Sequence, residues 1–273
     1  MEPTTKEIII EQVIDALGSQ ALDTVSPSNT LPSRAPKDSN SLSPNDDDFL
    51  PHCITQQPIP KPLRRPGAPH SIMVGLNKEC PRWAPGSTIK WVAWTQGFKT
   101  PSDASYAAEH LHLACQKWNE LDVGVTFEWV KETKDATFAL CHGGDSGGGT
   151  LASAFFPNAN DLNMMLVYNP VFSMPKWKAN LWKVFTHELG HVLGLRHEFA
   201  LDVNPESGKV FEAVKAVQLG PRNEKSVMTY SRTPPEIQTS DVESTRAFYA
   251  LREDAEGKPP LVGLTEVQDY EPM

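Results

Sequence analysis

The chain has 273 residues, 39% of them hydrophobic and 8% aromatic, enough for one sizeable core. Its 34 acidic against 25 basic residues leave a net charge of −9, which argues against the basic face that nucleic acid or an anionic membrane surface would require. No run approaches the roughly 18 apolar residues of a membrane span. Glu2, Glu7, Glu11 and Asp15 interrupt the apolar residues at the start, which do not read as a secretory signal.

Ile8, Ile9, Ile10, Val13, Ile14 and Leu17 form a short amphipathic stretch that reads as a helix needing something to dock on. From Ser26 to Pro69 the chain is rich in Pro, Ser and Asn and carries the acidic run Asp46-Asp47-Asp48. Such a stretch buries too little apolar surface to offset its ordering entropy, so residues 1–66 are read as a largely disordered segment. Residues 67–255 carry the pattern of a folded domain, and 256–273 that of a tail.

Within the folded part, Ser87–Trp94 reads as a strand entered by a Pro-Gly turn. A helix follows, capped by Ser102 or Asp103, with Ala107, Leu111, Ala114, Cys115, Trp118 and Leu121 at helical spacing. Val125–Val130 and Ala136–Leu140 are two further strands, a glycine-rich loop spans 143–149, and Leu151–Phe156 and Met164–Tyr168 are extended. Residues 179–194 read as helical, and Ser240 with Glu243 suggests a capping box opening a last helix to about Leu251. Strands and helices in this order predict an α+β fold.

The most informative segment is Thr186-His-Glu-Leu-Gly-His-Val-Leu-Gly-Leu-Arg-His-Glu198. His187 and His191 lie four apart, about 40° in azimuth on a helix, so both imidazoles project from one face as ligands of a shared metal must. On a continued helix His197 would point roughly 240° away from His191 and about 9 Å further on. The chain therefore has to turn, and Gly194 is the residue that permits it. Three neutral imidazoles leave one position open around a tetrahedral Zn²⁺, the arrangement of a catalytic ion.

HELGHVLGLRH, with Ser226-Val-Met-Thr-Tyr230 downstream, resembles the metzincin zinc endopeptidases. That resemblance implies a twisted mixed β-sheet with an active-site helix, a methionine-containing turn and a C-terminal helix. It implies that Met228 is the Met-turn residue, an apolar floor under the imidazoles. By the same resemblance Glu188 is the general base acting on a zinc-activated water, and Tyr230 hydrogen-bonds the developing oxyanion. Glu198 after the third histidine is astacin-like. Gly148–Pro157 and Trp83–Ile89 are matrixin-like, which puts the chain between those two branches. Matrixins place a ligand of a second zinc where this chain has Ser153, and acidic calcium ligands where it has Asn163 and Met164. His142 and Asp145 alone do not make a closed site, so one catalytic zinc is expected, without support for a second zinc or a structural calcium.

Polypeptide substrates are implied, bound as an extended strand along about Leu151 to Phe156, with specificity from a pocket walled between His197 and Met228. The resemblance alone suggests an extracellular setting. Cys53, in Pro51-His-Cys53, partly matches a matrixin latency motif, and Asp48 is the astacin-like counterpart; either is a candidate latency ligand, set against a linker that merely contains them. Cys80, Cys115 and Cys141 are either thiols or disulfide partners. His110 and His112 read as surface or capping residues, Trp177 and Trp182 as packing residues, and the 143–149 loop lacks the Gly-Lys-Ser/Thr of a phosphate cradle. Two rivals to an endopeptidase stand: a zinc-binding module without turnover, and a hydrolase of non-protein amides.

Overall fold

A computed structural model describes residues 4–27, 72–76, 78–146, 149–203, 208, 216–220 and 223–273. Cys53 and Asp48 lie outside the described residues. The helices are α1 (Thr5–Leu17), α2 (Pro101–Glu120), α3 (Asn169–Ser173), α4 (Pro175–Ala179), α5 (Leu181–Val192) and α6 (Thr239–Ala250). The strands are β1 (Ile72–Val74), β2 (Glu79–Trp83), β3 (Thr88–Ala93), β4 (Thr126–Trp129), β5 (Phe138–His142), β6 (Ala152–Ser153), β7 (Asn163–Val167), β8 (Val217–Leu219), β9 (Leu261–Val262) and β10 (Thr265–Tyr270). No helix among the described residues is long and apolar enough to cross a membrane.

The main sheet has the order β4-β3-β5-β7-β6; its first four strands run parallel and β6 is antiparallel to β7. Strand alternation gives this sheet two apolar faces. Ile89, Trp91, Ala93, Phe138 and Leu140 face the large core that α2 and α5 complete. Val92, Trp94, Ala139 and Cys141 face the other way, where Ile9 and Val13 of α1 cover them. Lys6 anchors that cover by donating from Nζ to the carbonyls of Lys134 (3.2 Å) and Ala136 (2.8 Å). Residues 4–27, set by composition within a largely disordered segment, thus pack on the sheet.

The C-terminal residues also differ from the tail expected of them. β10 runs parallel to β2 in register from Glu266 opposite Glu79 to Tyr270 opposite Trp83, and β9 completes this second sheet. The buried Arg82 guanidinium joins the two strands to α6: Nε donates to Asp269 Oδ1 at 2.6 Å, Nη2 to the Leu251 carbonyl at 3.0 Å, and Nη1 to the Phe248 carbonyl.

Two helix starts are displaced from their expected caps. α2 is capped by Thr100, whose hydroxyl accepts from Asp103 N–H at 3.1 Å, because Pro101 suits the first helical position and has no N–H to leave unpaired. α6 begins at Thr239, with Gln238 and Asp241 forming the reciprocal cap in place of Ser240 and Glu243. The stretch 151–156 contributes only the two-residue β6, and the third strand runs 138–142 rather than 136–140.

Candidate metal centre

α5 is held at both ends. At its start the Trp182 N–H donates to Nδ1 of His110 at 3.1 Å, so a buried imidazole from α2 caps the metal-motif helix across the helix–helix interface. Burial holds the His110 pKa at about 4, keeping the ring neutral and able to accept. At its end Gly194 has φ +90°, and a Cβ there would lie under 3.0 Å from the Pro81 carbonyl oxygen. The chain reverses with Leu195 N–H donating to the Gly190 carbonyl at 2.9 Å. Residue 196 is then fixed from β1: its N–H donates to Met73 O at 2.7 Å and its Nη1 to Gly75 O at 2.7 Å.

This turn brings His197 back to His187 and His191. One ligand atom from each lies within 4.8 Å of the others, and no other such group of three metal-ligating side chains occurs among the described residues. His191 Nε2 stands 3.2 Å from His197 Nε2. The Val227 carbonyl accepts from His187 Nδ1 at 2.7 Å and the Leu195 carbonyl from His191 Nδ1 at 2.8 Å, which leaves both Nε2 lone pairs directed at the centre. Burial pushes His187 down to about 4 and His191 and His197 well below the usual histidine range, with mutual repulsion adding to it at the latter two. Three neutral imidazoles crowd their lone pairs together, and the buried His187 Nε2 has no hydrogen-bond partner. This is the donor set of a zinc ion, which would relieve that crowding.

Glu188 is buried beside His187. Met228 is fully buried against Gly190 of α5, in a turn closed by Thr229 N–H to Ser226 O at 3.1 Å and Met228 N–H to Ser226 Oγ at 3.0 Å. Asp241 of α6 supports this turn by accepting from Val227 N–H at 2.9 Å. The turn also carries Tyr230, whose ring centroid lies 4.7 Å from that of His197 and 6.2 Å from that of His187.

A small cleft opens beside His187 and Glu188, lined also by Leu151, Ala152, Trp177, Val184, Thr229–Ser231 and Pro235. Among the described residues the segment just after Met228, Thr229–Ser231 with Pro235, lines this cleft; much of the stretch between His197 and Met228 that was expected to wall it lies outside the described residues. Trp177, expected only to pack, also lines it.

His142 and Asp145 do not converge on a metal-ligating group. Asn169 stands between them, Oδ1 3.1 Å from His142 Nε2 and Nδ2 donating to Asp145 Oδ1 at 2.7 Å. Ser153 Oγ lies 3.2 Å from the Tyr168 hydroxyl, and Asn163 Oδ1 accepts from Asn158 at 2.9 Å. Cys80, Cys115 and Cys141 are free, buried thiols, each with its pKa raised by burial. His112 is half-buried with its ring 6.4 Å from that of Trp91. Sequence reasoning missed Phe156 and Phe199, whose rings lie 5.4 Å from His191 and 4.9 Å from His197. Phe199 is two residues past the motif, but nothing in its spacing signals a ring contact.

The α+β fold and the three-imidazole centre define a zinc metallopeptidase of the metzincin kind. A family model described as metallo-peptidase family M12 matches residues 93–241, more than half of the chain, and the protein belongs to that family. No curated protein matches it. Among solved structures it is similar to high choriolytic enzyme 1, a hatching-enzyme zinc protease from the medaka fish Oryzias latipes, with 13% identity over 63% of this chain and 95% of that one and a TM-score of 0.41.

Proposed function

We propose that this metallopeptidase is an endopeptidase that cuts internal bonds of extended polypeptides, with His187, His191 and His197 holding a single zinc ion. The observation carrying this reading is the buried carboxylate of Glu188, next to a metal ligand and on the wall of the cleft. Bound to the three imidazoles, zinc would supply Lewis acidity, acidifying a water and polarising the scissile carbonyl. Glu188 takes the proton from the attacking water and passes it to the leaving amine. The Tyr230 hydroxyl donates to the carbonyl oxygen as negative charge builds on it. Met228 keeps water and mobile side chains from beneath the imidazoles.

Main-chain groups around β6, on the sheet edge beside the cleft, pair with an extended substrate, and the cleft takes the side chain next to the cut bond. Backbone pairing along an open edge places the cut within a chain instead of at its end. The test is digestion of casein by the full chain, alongside a peptide blocked at both termini. Internal fragments from both, lost with a zinc chelator and restored by zinc, are expected. A folded, zinc-loaded chain that releases nothing from either would leave a zinc-binding module, and cleavage of small amides alone would leave a narrower hydrolase.

A further inference from the structure

His197, Phe199 and Tyr230 form a closed triangle of rings. Phe199 stacks on His197 with centroids 4.9 Å apart and planes 15° from parallel, and packs on Tyr230 at 4.9 Å and 54°. Tyr230 in turn meets His197 edge-on at 4.7 Å. The backbone that carries Phe199 is held close behind His197, since Ala200 N–H donates to the His197 carbonyl at 3.0 Å and Asp202 N–H to the Phe199 carbonyl at 2.9 Å. That turn is tied to the loop bearing Tyr230 by Glu198 N–H donating to the Met228 carbonyl at 3.1 Å. Phe199 therefore leans on the third imidazole and on the phenol at once, from a fixed turn.

We propose that Phe199 is a positioning residue that holds the His197 imidazole and the Tyr230 phenol in one fixed relation. It touches neither the reacting bond nor the zinc. Its flat face removes the directions in which the His197 ring could rotate and the Tyr230 ring could swing outward, so the hydroxyl is presented where the carbonyl oxygen gains charge. An aliphatic residue of similar bulk fills the same space but leaves both rings free to turn, because it lacks the flat face that selects a ring orientation. Granted the oxyanion role proposed for Tyr230, on which the second half of this assignment rests, losing the stack lowers turnover with little effect on substrate binding.

The experiment compares full-length protein with Phe199→Leu, Phe199→Met and Phe199→Tyr, each also combined with Tyr230→Phe, after thermal melts establish which variants are folded. Two readings are taken: zinc affinity by competition with a chromophoric chelator, and kcat and KM on a quenched peptide taken from a casein fragment that the wild type releases. Phe199→Leu and Phe199→Met are expected to lower kcat about 3- to 10-fold, the population change that such an aromatic pair is worth, with KM within twofold. They are also expected to weaken zinc binding about threefold. Phe199→Tyr restores both, and in the Tyr230→Phe background the kcat effect disappears while the zinc effect persists. Unchanged kcat and zinc affinity in both aliphatic variants overturns the proposal, as does an undiminished kcat effect without Tyr230. If the wild type cleaves nothing, the endopeptidase reading falls, and the zinc arm still decides whether Phe199 holds His197.

Discussion

Gly190 lies so close to Met228 that a Cβ added at position 190 would stand under 3.0 Å from the Met228 sulfur. The metal-motif helix and the turn beneath it are thus in contact through a hydrogen atom, and any side chain there pushes the two apart. Gly190→Ala should cost roughly 1–3 kcal/mol by overpacking, read as a fall in Tm of the full chain. In a Met228→Ala background, which makes room, the same change should cost much less. Equal losses in both backgrounds would mean that the contact is not what constrains position 190.

The metal centre was legible in the sequence because its determinants are local: two histidines a helical turn apart, a glycine that can adopt positive φ, and a third histidine three residues beyond it. What stayed hidden depends on pairing between distant segments. Nothing near Arg82 signals that its partner strand begins more than 180 residues later at Thr265. The amphipathic start of the chain was legible as a helix, but its docking face, Val92, Trp94, Ala139 and Cys141, became one surface only once β3 and β5 were paired. Cap positions slipped by two or three residues where several polar residues competed.

The C-terminal strand should prove necessary for the fold. Removing residues 256–273 takes away β10, the parallel partner of β2, and leaves the buried Arg82 without Asp269. The truncated chain should melt well below the full chain or fail to fold. Asp269→Ala alone should cost about 1–3 kcal/mol, the loss of a charged hydrogen-bond partner. A truncated protein with the full-length Tm would show that this strand is an accessory.

The cleft beside Glu188 predicts a preference for an apolar residue at the cut bond, since its lining includes Leu151, Ala152, Trp177, Val184 and Pro235, and among its described lining residues the one carboxylate is that of Glu188. In a peptide series varied only at that residue, Leu should exceed Ala in kcat/KM by about 10- to 100-fold, the worth of burying the larger side chain. Asp should be poorer still, because its charge would be desolvated without a partner. Peptides with Asp or Lys cleaved as well as those with Leu would contradict this use of the cleft.

His110 gives stability a defined pH dependence. Burial holds its pKa at about 4 in the folded chain, below the ordinary histidine value of 6.5 that the unfolded chain regains. Between pH 6.5 and 4 the unfolded state therefore binds the extra proton, so this residue's contribution falls as the pH drops through that window and is level above it. The loss amounts to something on the order of 2–3 kcal/mol. Unfolding curves of zinc-loaded His110→Gln should show a flatter acid limb than wild type, though the variant is less stable at pH 7 because Trp182 N–H loses its cap. Parallel acid limbs would show that His110 is not the group titrating.

The most direct test of the account is made on Glu188→Gln, which keeps the shape of the side chain and removes its basicity. Zinc content per chain, measured on the purified full-length variant, should remain at one, because His187, His191 and His197 are untouched. Casein cleavage by the same sample should fall by about 10²- to 10⁴-fold, the range associated with losing a general base. Wild-type cleavage by a zinc-loaded Glu188→Gln would contradict the central claim that this carboxylate moves the proton.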